Sequence, residues 1–149
     1  MLSHREAVAA DVPLLAELNH QLIHDEGHRN RMTVQELEAR MGNWLAAEYR
    51  AILFTKGGSV VAYALFRPEG CSAYVRQFYV DREFRRSGVG RKAMQILLDD
   101  SLKDFNRVYL DVLTNNVTAQ AFWKAVGFQE YAVTMEFFRN SAHAGAVAP

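Results

Sequence analysis

Two periodicities alternate along this chain. Residues 3–8, 50–55, 59–66, 73–80 and 108–113 are rich in β-branched and aromatic side chains, the composition of strands. Between them, apolar residues recur at helical spacing. Leu14, Leu15, Leu18, Leu22 and Ile23 mark one face of a first helix, with Asp11 as its cap and Pro13 in its first turn, where a missing N–H does no harm. Thr33 and Glu36 form a capping box that opens a second helix, carrying Leu37, Met41, Trp44 and Leu45. Val89, Ala93, Ile96 and Leu97 fall at i, i+4, i+7 and i+8, one face of a third. Residues 118–126 form a short fourth, stopped by Gly127. Gly57 and Gly58 signal a hairpin between the second and third strands, and residues 128–138 are apolar enough for one or two closing strands. This order predicts one mixed α/β domain over residues 1–139. Residues 140–149, small and aperiodic, read as a frayed tail.

Composition narrows the function classes. At 149 residues the chain is one domain by the usual prior and can bury a proper core. Seventeen cations balance seventeen anions, so net charge implies neither nucleic acid nor an acidic membrane surface as a partner. No apolar run approaches the ~20 residues that span a bilayer, and the N-terminus lacks a signal-peptide pattern. Cys71 is the only cysteine, so no internal disulfide forms and a reducing compartment fits; the expected location is cytoplasmic.

Against that neutral background, residues 79–93 are locally cationic. Arg82, Arg85, Arg86, Arg91 and Lys92 face only Asp81 and Glu83. The stretch runs from a strand through Gly88 and Gly90 into a helix, so unpaired backbone N–H groups point at whatever occupies the loop. Cations in a first helical turn oppose the macrodipole. A phosphate-bearing ligand would offset that cost, and glycines without Cβ atoms would let it approach the backbone. The far end of the same helix carries Asp99, Asp100 and Asp104, where cations would be favourable. A Walker A loop is absent. Gly88, Gly90 and Ala93 with Asp111 imitate a dinucleotide fingerprint, but residues 81–87 make too long a lead-in and too little chain follows for a doubly wound sheet.

The run Arg85-Arg86-Ser87-Gly88-Val89-Gly90 resembles the Arg/Gln-x-x-Gly-x-Gly/Ala loop of the GNAT acyltransferases, which move an acetyl group from coenzyme A to an amine. The resemblance extends to Phe78-Tyr79-Val80-Asp81 before it, to the ordered signature from Asn116 through Ala119, Phe122 and Trp123 to Gly127-Phe128, and to Asp11-Val12-Pro13. It implies a mostly antiparallel mixed sheet flanked by helices, with acetyl-CoA as cosubstrate and no metal. Carried over by position, the N–H groups of Ser87, Gly88, Val89, Gly90 and Arg91 would hold the pyrophosphate between Arg85 and Arg86. Phe78 and Val80 would pair with the pantetheine arm as if it were an added strand. The Phe78 N–H would also polarise the thioester carbonyl, and Asn116, Phe122 and Trp123 would line the cofactor. The resemblance also allows a homodimer.

Acetyl transfer needs a neutral amine, and a free alkyl amine has a pKa near ~10.4, so a base or water must take its proton. Asp111 matches the position where some family members carry a carboxylate base, and Glu26 is the second candidate. Asp25, Glu26 and His28, with Tyr74 near the place of a strand-four glutamate, would line the acceptor site and suit a polar or cationic amine. The family's usual tyrosine acid falls on Trp123, whose indole is no practical proton donor. That departure leaves a non-catalytic acyl-CoA-binding module as the alternative to an N-acetyltransferase. His20, His24 and His28 stand at helical spacing like metal ligands, but Gly27 interrupts the helix they would need.

Overall fold

The computed structural model describes residues 1–140. Five strands, β1 (Leu2–Glu6), β2 (Arg50–Lys56), β3 (Ser59–Glu69), β4 (Ser72–Val80) and β5 (Arg107–Tyr109), form one sheet in sequence order. The first four are antiparallel to their neighbours, and β5 runs parallel to β4. Gly57 and Gly58, at φ 59° and 83°, turn β2 into β3.

Helices cover both faces, because the strands are apolar on both sides. Leu15, Leu18 and Leu22 of α1 (Val12–Glu26) and Met41 of α2 (Val34–Ala46) pack on Leu53, Tyr63, Leu65 and Tyr79. The other face of the same strands, with Ile52, Phe54, Ala64 and Phe66, receives Val89, Ala93, Met94 and Leu97 of α3 (Val89–Asp99). Phe122 and Trp123 of α4 (Val117–Ala125) join that second cluster. The capping box opens α2 as its sequence predicts, with Thr33 accepting from the Glu36 N–H at 3.2 Å and Glu36 from the Thr33 N–H at 2.9 Å.

Several local expectations change in the folded chain. Asp11 does not cap α1 with its side chain; Arg5 grips its carboxylate with two hydrogen bonds of 2.8 Å, and the Val8 N–H adds a third at 2.7 Å. Leu14 turns outward. The acidic end of α3 is met by neighbours, since His4 pairs with Asp100 at 2.7 Å and Gln95 donates to Asp99. The strand expected over 108–113 ends at Tyr109. Residues 128–138 form no strand: among the described residues, nothing provides a backbone ladder for them. The predicted tail lies outside the described residues, apart from Asn140.

Candidate active site

A bulge in β4 opens the site. Across the β3–β4 ladder, Leu65 faces Gln77 while Phe66 faces Val75, so Arg76 is an extra residue. The faces confirm it: Ala73 and Val75 lie in the α3-side cluster, and beyond Arg76 the positions that pack there are Phe78 and Val80. A bulge bends its strand and sharpens the local twist. The β4–β5 ladder accordingly stops at the pair Tyr74–Tyr109. From there the strands diverge, and a cavity fills the wedge between residues 75–78 and 110–113.

Its walls gather much of the chemistry. Asp111 lies just past the end of β5, exposed, and accepts from the Tyr74 hydroxyl at 3.0 Å. Burial, and then the charge of Asp111, push the Tyr74 phenol up to about 12, so it stays protonated and keeps donating. Glu26 and His28 line the same cavity, joined at 2.9 Å between Oε1 and Nε2. They reach the cavity because α1 ends at Glu26 and Gly27, at φ 66°, turns the chain through the left-handed region. That break also removes the continuous helix on which the three histidines would stack. Among the described residues, no group of three or more His, Cys, Asp or Glu side chains is placed to hold a metal.

Phe78 stacks on Phe122 with centroids 6.0 Å apart, and Trp123 meets Phe78, Phe122 and Phe128 edge-on. Asn116 lines the cavity while its side chain caps α4 by accepting from the Ala119 N–H at 3.1 Å. Gln77 also lines it, accepting from the buried Tyr63 hydroxyl at 2.8 Å. No sequence signal marked Gln77, which reads as one polar residue in an alternating strand.

The cationic loop separates into two groups. Arg85, though exposed, is committed to the chain's own groups: its Nε donates to the Val80 carbonyl at 2.9 Å and its Nη2 to Asp25 at 2.8 Å. Arg82 and Tyr79 donate to the same Asp25, whose carboxylate therefore serves this network rather than the cavity. Arg91 donates to the Ala125 carbonyl at the end of α4. Among the described residues, Arg86 and Lys92 have no hydrogen-bond or ion-pair partner. None accepts from the N–H groups of Gly88, Val89, Gly90 or Arg91, so the start of α3 is an open row of donors. The two glycines serve different ends. Gly88 begins α3 at φ 81°, and a Cβ there would meet open space. At Gly90 a Cβ would press on Phe122 and Val80 at 3.3 Å, so that glycine answers to packing and not to a ligand's approach.

The model of the acetyltransferase (GNAT) family matches residues 16–128, which span the wedge, the donor row and α4. The chain belongs to the GNAT family. It is an acetyl-CoA-dependent N-acetyltransferase. Among its GNAT relatives, the N-alpha-acetyltransferase RimI of Mycobacterium tuberculosis is 30% identical over 137 residues, covering 89% of this chain and 81% of the relative. A Clostridium difficile protein described as a possible acetyltransferase superposes with TM-score 0.79 at 20% identity, over 94% of this chain and 98% of that one. A predicted acetyltransferase of Clostridium acetobutylicum, solved with acetyl-CoA, gives 0.72 at 18% identity, over 93% and 96%. The observed sheet, four of its strands antiparallel with β5 parallel at the edge, is the mixed architecture this GNAT membership implies.

Proposed function

We propose that this enzyme acetylates the α-amine of a peptide or protein N-terminus, by direct attack of that amine on acetyl-CoA held in the wedge. The observation that carries this reading is the divergence of β4 from β5 at Tyr74–Tyr109, with the carboxylates of Asp111 and Glu26 lining the gap and the unpaired donors of α3 following β4 in the chain. A pantetheine arm supplies its own amides, so it can take the place of the missing strand beside β4, along Phe78 and Val80. Ser87, Gly88, Val89, Gly90 and Arg91 then present backbone N–H groups to the diphosphate. Arg86 supplies charge, and Arg85 shapes the loop from behind by tying Val80 to Asp25.

Acetyl-CoA brings the activated thioester. The Phe78 N–H polarises the carbonyl as the tetrahedral oxyanion forms. Asp111, oriented by Tyr74, takes the proton of the attacking amine directly or through water; Glu26 and His28, which line the same cavity, contact the acceptor. An α-amine suits such an exposed base, because its pKa of ~7.7–8.0 leaves a useful neutral fraction at pH 7, unlike an alkyl amine near ~10.4. The Mycobacterium tuberculosis relative, named an N-alpha-acetyltransferase, supports the same acceptor class. The thiolate leaves to water. Trp123 is packed among aromatic rings. The Tyr79 hydroxyl is spent on Gln21 and Asp25, and that of Tyr109 on Glu69. A cytoplasmic setting agrees with the lone, exposed Cys71.

Thiol release from acetyl-CoA tests the proposal, with short peptides bearing free or N-acetylated termini set beside polyamines and aminoglycosides. Release only with free N-termini is the expected result. Turnover of polyamines or aminoglycosides alone would overturn the acceptor class. Tight coenzyme A binding with no release for any amine would restore the binding-module alternative.

A further inference from the structure

Three arginines gather beside the wedge, on the face of the sheet that carries α1 and α2. Tyr49, between α2 and β2, holds two of them. Its buried ring ends in a hydroxyl that accepts from Arg67 Nη1 at 2.9 Å and from Arg76 Nη1 at 3.3 Å. Trp44 packs against Tyr49 at 5.1 Å and lies under two guanidinium groups, that of Arg76 at 4.7 Å and that of Arg40 at 4.3 Å. Arg40 is half-buried and donates to the neutral Asn19 Oδ1 at 3.3 Å, while its own Nε and the Asn19 Nδ2 are buried without a partner. Among the described residues no carboxylate pairs with Arg40; burial, and then the charge of Arg76, pull its guanidinium below the ordinary arginine value. A phenol or an amide fixes a guanidinium without neutralising it, so the local charge stays positive. The cluster reaches the cavity at two points. Arg76 is part of the lining, and Arg67 lies 5.0 Å over the ring of Tyr74, whose hydroxyl bonds Asp111.

We infer that this cluster is the subsite for an acidic side chain within the first two residues of the acceptor peptide. The inference rests on the N-terminal acceptor proposed above and adds a sequence preference to it. The cavity is bipolar: Asp111 and Glu26 are placed for the amine, and Arg76 stands in the same lining for a carboxylate. An extended chain advances ~3.3 Å per residue, so the first two side chains stay beside the amine, whereas the fifth lies ~13 Å farther on. A guanidinium meets a carboxylate with two parallel N–H bonds, and Tyr49 fixes Arg67 and Arg76 before the peptide arrives, which lowers the cost of ordering them. Gathering like charges in a half-buried place is costly, and a bound anion offsets that cost. Glu69 already meets Arg67 at 3.3 Å, so Arg76 and Arg40 carry the preference and Arg67 supports it. Arginines stacked on rings also suit a nucleic acid. The balanced charge of the chain and the carboxylates of Asp111 and Glu26 in the adjoining cavity favour the peptide, since a phosphate backbone would meet repulsion there.

Thiol release from acetyl-CoA is to be compared across one peptide series, with glutamate, glutamine or lysine as the second residue and with glutamate moved to the fifth. Glutamate in second place is expected to raise kcat/KM about tenfold over glutamine, with lysine lower still. The advantage should vanish at the fifth position and shrink with added salt. Arg76→Gln should bring the ratio of glutamate to glutamine peptides close to one, and Arg76→Glu should turn the preference toward lysine. Tyr49→Phe keeps the ring and removes the shared hydroxyl; it should reduce the same ratio through the KM of the glutamate peptide, whereas a merely structural loss lowers both peptides alike. Equal kcat/KM for glutamate and glutamine in the wild type overturns this inference and leaves N-terminal acetylation standing. Release with no peptide at all overturns that reading, and this one with it. Equal rates together with inhibition by single-stranded RNA would assign the cluster to a nucleic acid instead. If the variants fail to fold, the wild-type series and its salt dependence decide alone.

Discussion

Asp111, the proposed base, is held by a hydrogen bond from Tyr74. The phenol, held near 12, donates one hydrogen bond and fixes the carboxylate at the mouth of the wedge. Replacing Asp111 by Asn keeps the shape and removes the proposed base. The expected loss in kcat/KM is roughly 10²-fold at pH 7, the low end for general base catalysis. The loss should shrink above pH ~8, where the α-amine is already largely neutral. A pH–rate profile against a peptide acceptor checks this, and an equal loss at every pH would make Asp111 structural. The two loop arginines should separate in the same way. Arg86→Ala should raise the KM for acetyl-CoA about fivefold, the worth of an exposed charge contact of ~1 kcal/mol. Arg85→Ala should instead show up in thermal stability, because it unties Val80 and leaves Asp25 with fewer donors.

At the scale of elements, the bulge at Arg76 and the start of α3 matter most. One extra residue in β4 ends the ladder to β5, and the resulting gap is the proposed site. α4 closes the gap and depends on its cap. Asn116→Ala removes the bond to the Ala119 N–H and should cost about 1 kcal/mol in urea unfolding, while shifting a cavity wall. Gly90→Ala sets two effects against each other. A helix gains up to ~1 kcal/mol from alanine over glycine. Pressing a methyl group onto Phe122 and Val80 costs about 1–3 kcal/mol, since Val80 is held in the sheet. Packing should win by about 1 kcal/mol in the same unfolding measurement, and a gain in stability would show that the aromatic stack yields.

Over the whole molecule, paired carboxylates tie the periphery together. The Arg5 hydrogen bonds, against an opposing burial, hold the Asp11 carboxyl at about 2. The unfolded carboxyl titrates near ~3.9, so the unfolded chain binds the proton first as pH falls. The stabilisation is complete above pH ~4 and disappears as pH drops toward the folded value of about 2. Urea midpoints should therefore decline from pH 5 to pH 2. Asp11→Asn should flatten part of that decline, with the effect weakened by salt because Arg5 is exposed.

Most of the elements, their order and the donor row at α3 were legible before folding, because these follow from local periodicity, caps and glycine positions. Thr33 with Glu36, the Gly57–Gly58 turn and the loop before Val89 are short-range features, and they form as the residues predict. How the wedge opens, and which charges remain available, emerges only when distant segments pack together. The bulge at Arg76 exists only as a mismatch between β4 and β3 and has no signature within β4 alone. Arg85 and Arg86 are neighbours with identical chemistry, yet one is consumed by Asp25, which lies sixty residues earlier in the chain. Residues 128–138 carry a strand pattern, but a pattern names a preference for burial, and a strand needs an edge to meet. Within one described chain they meet none.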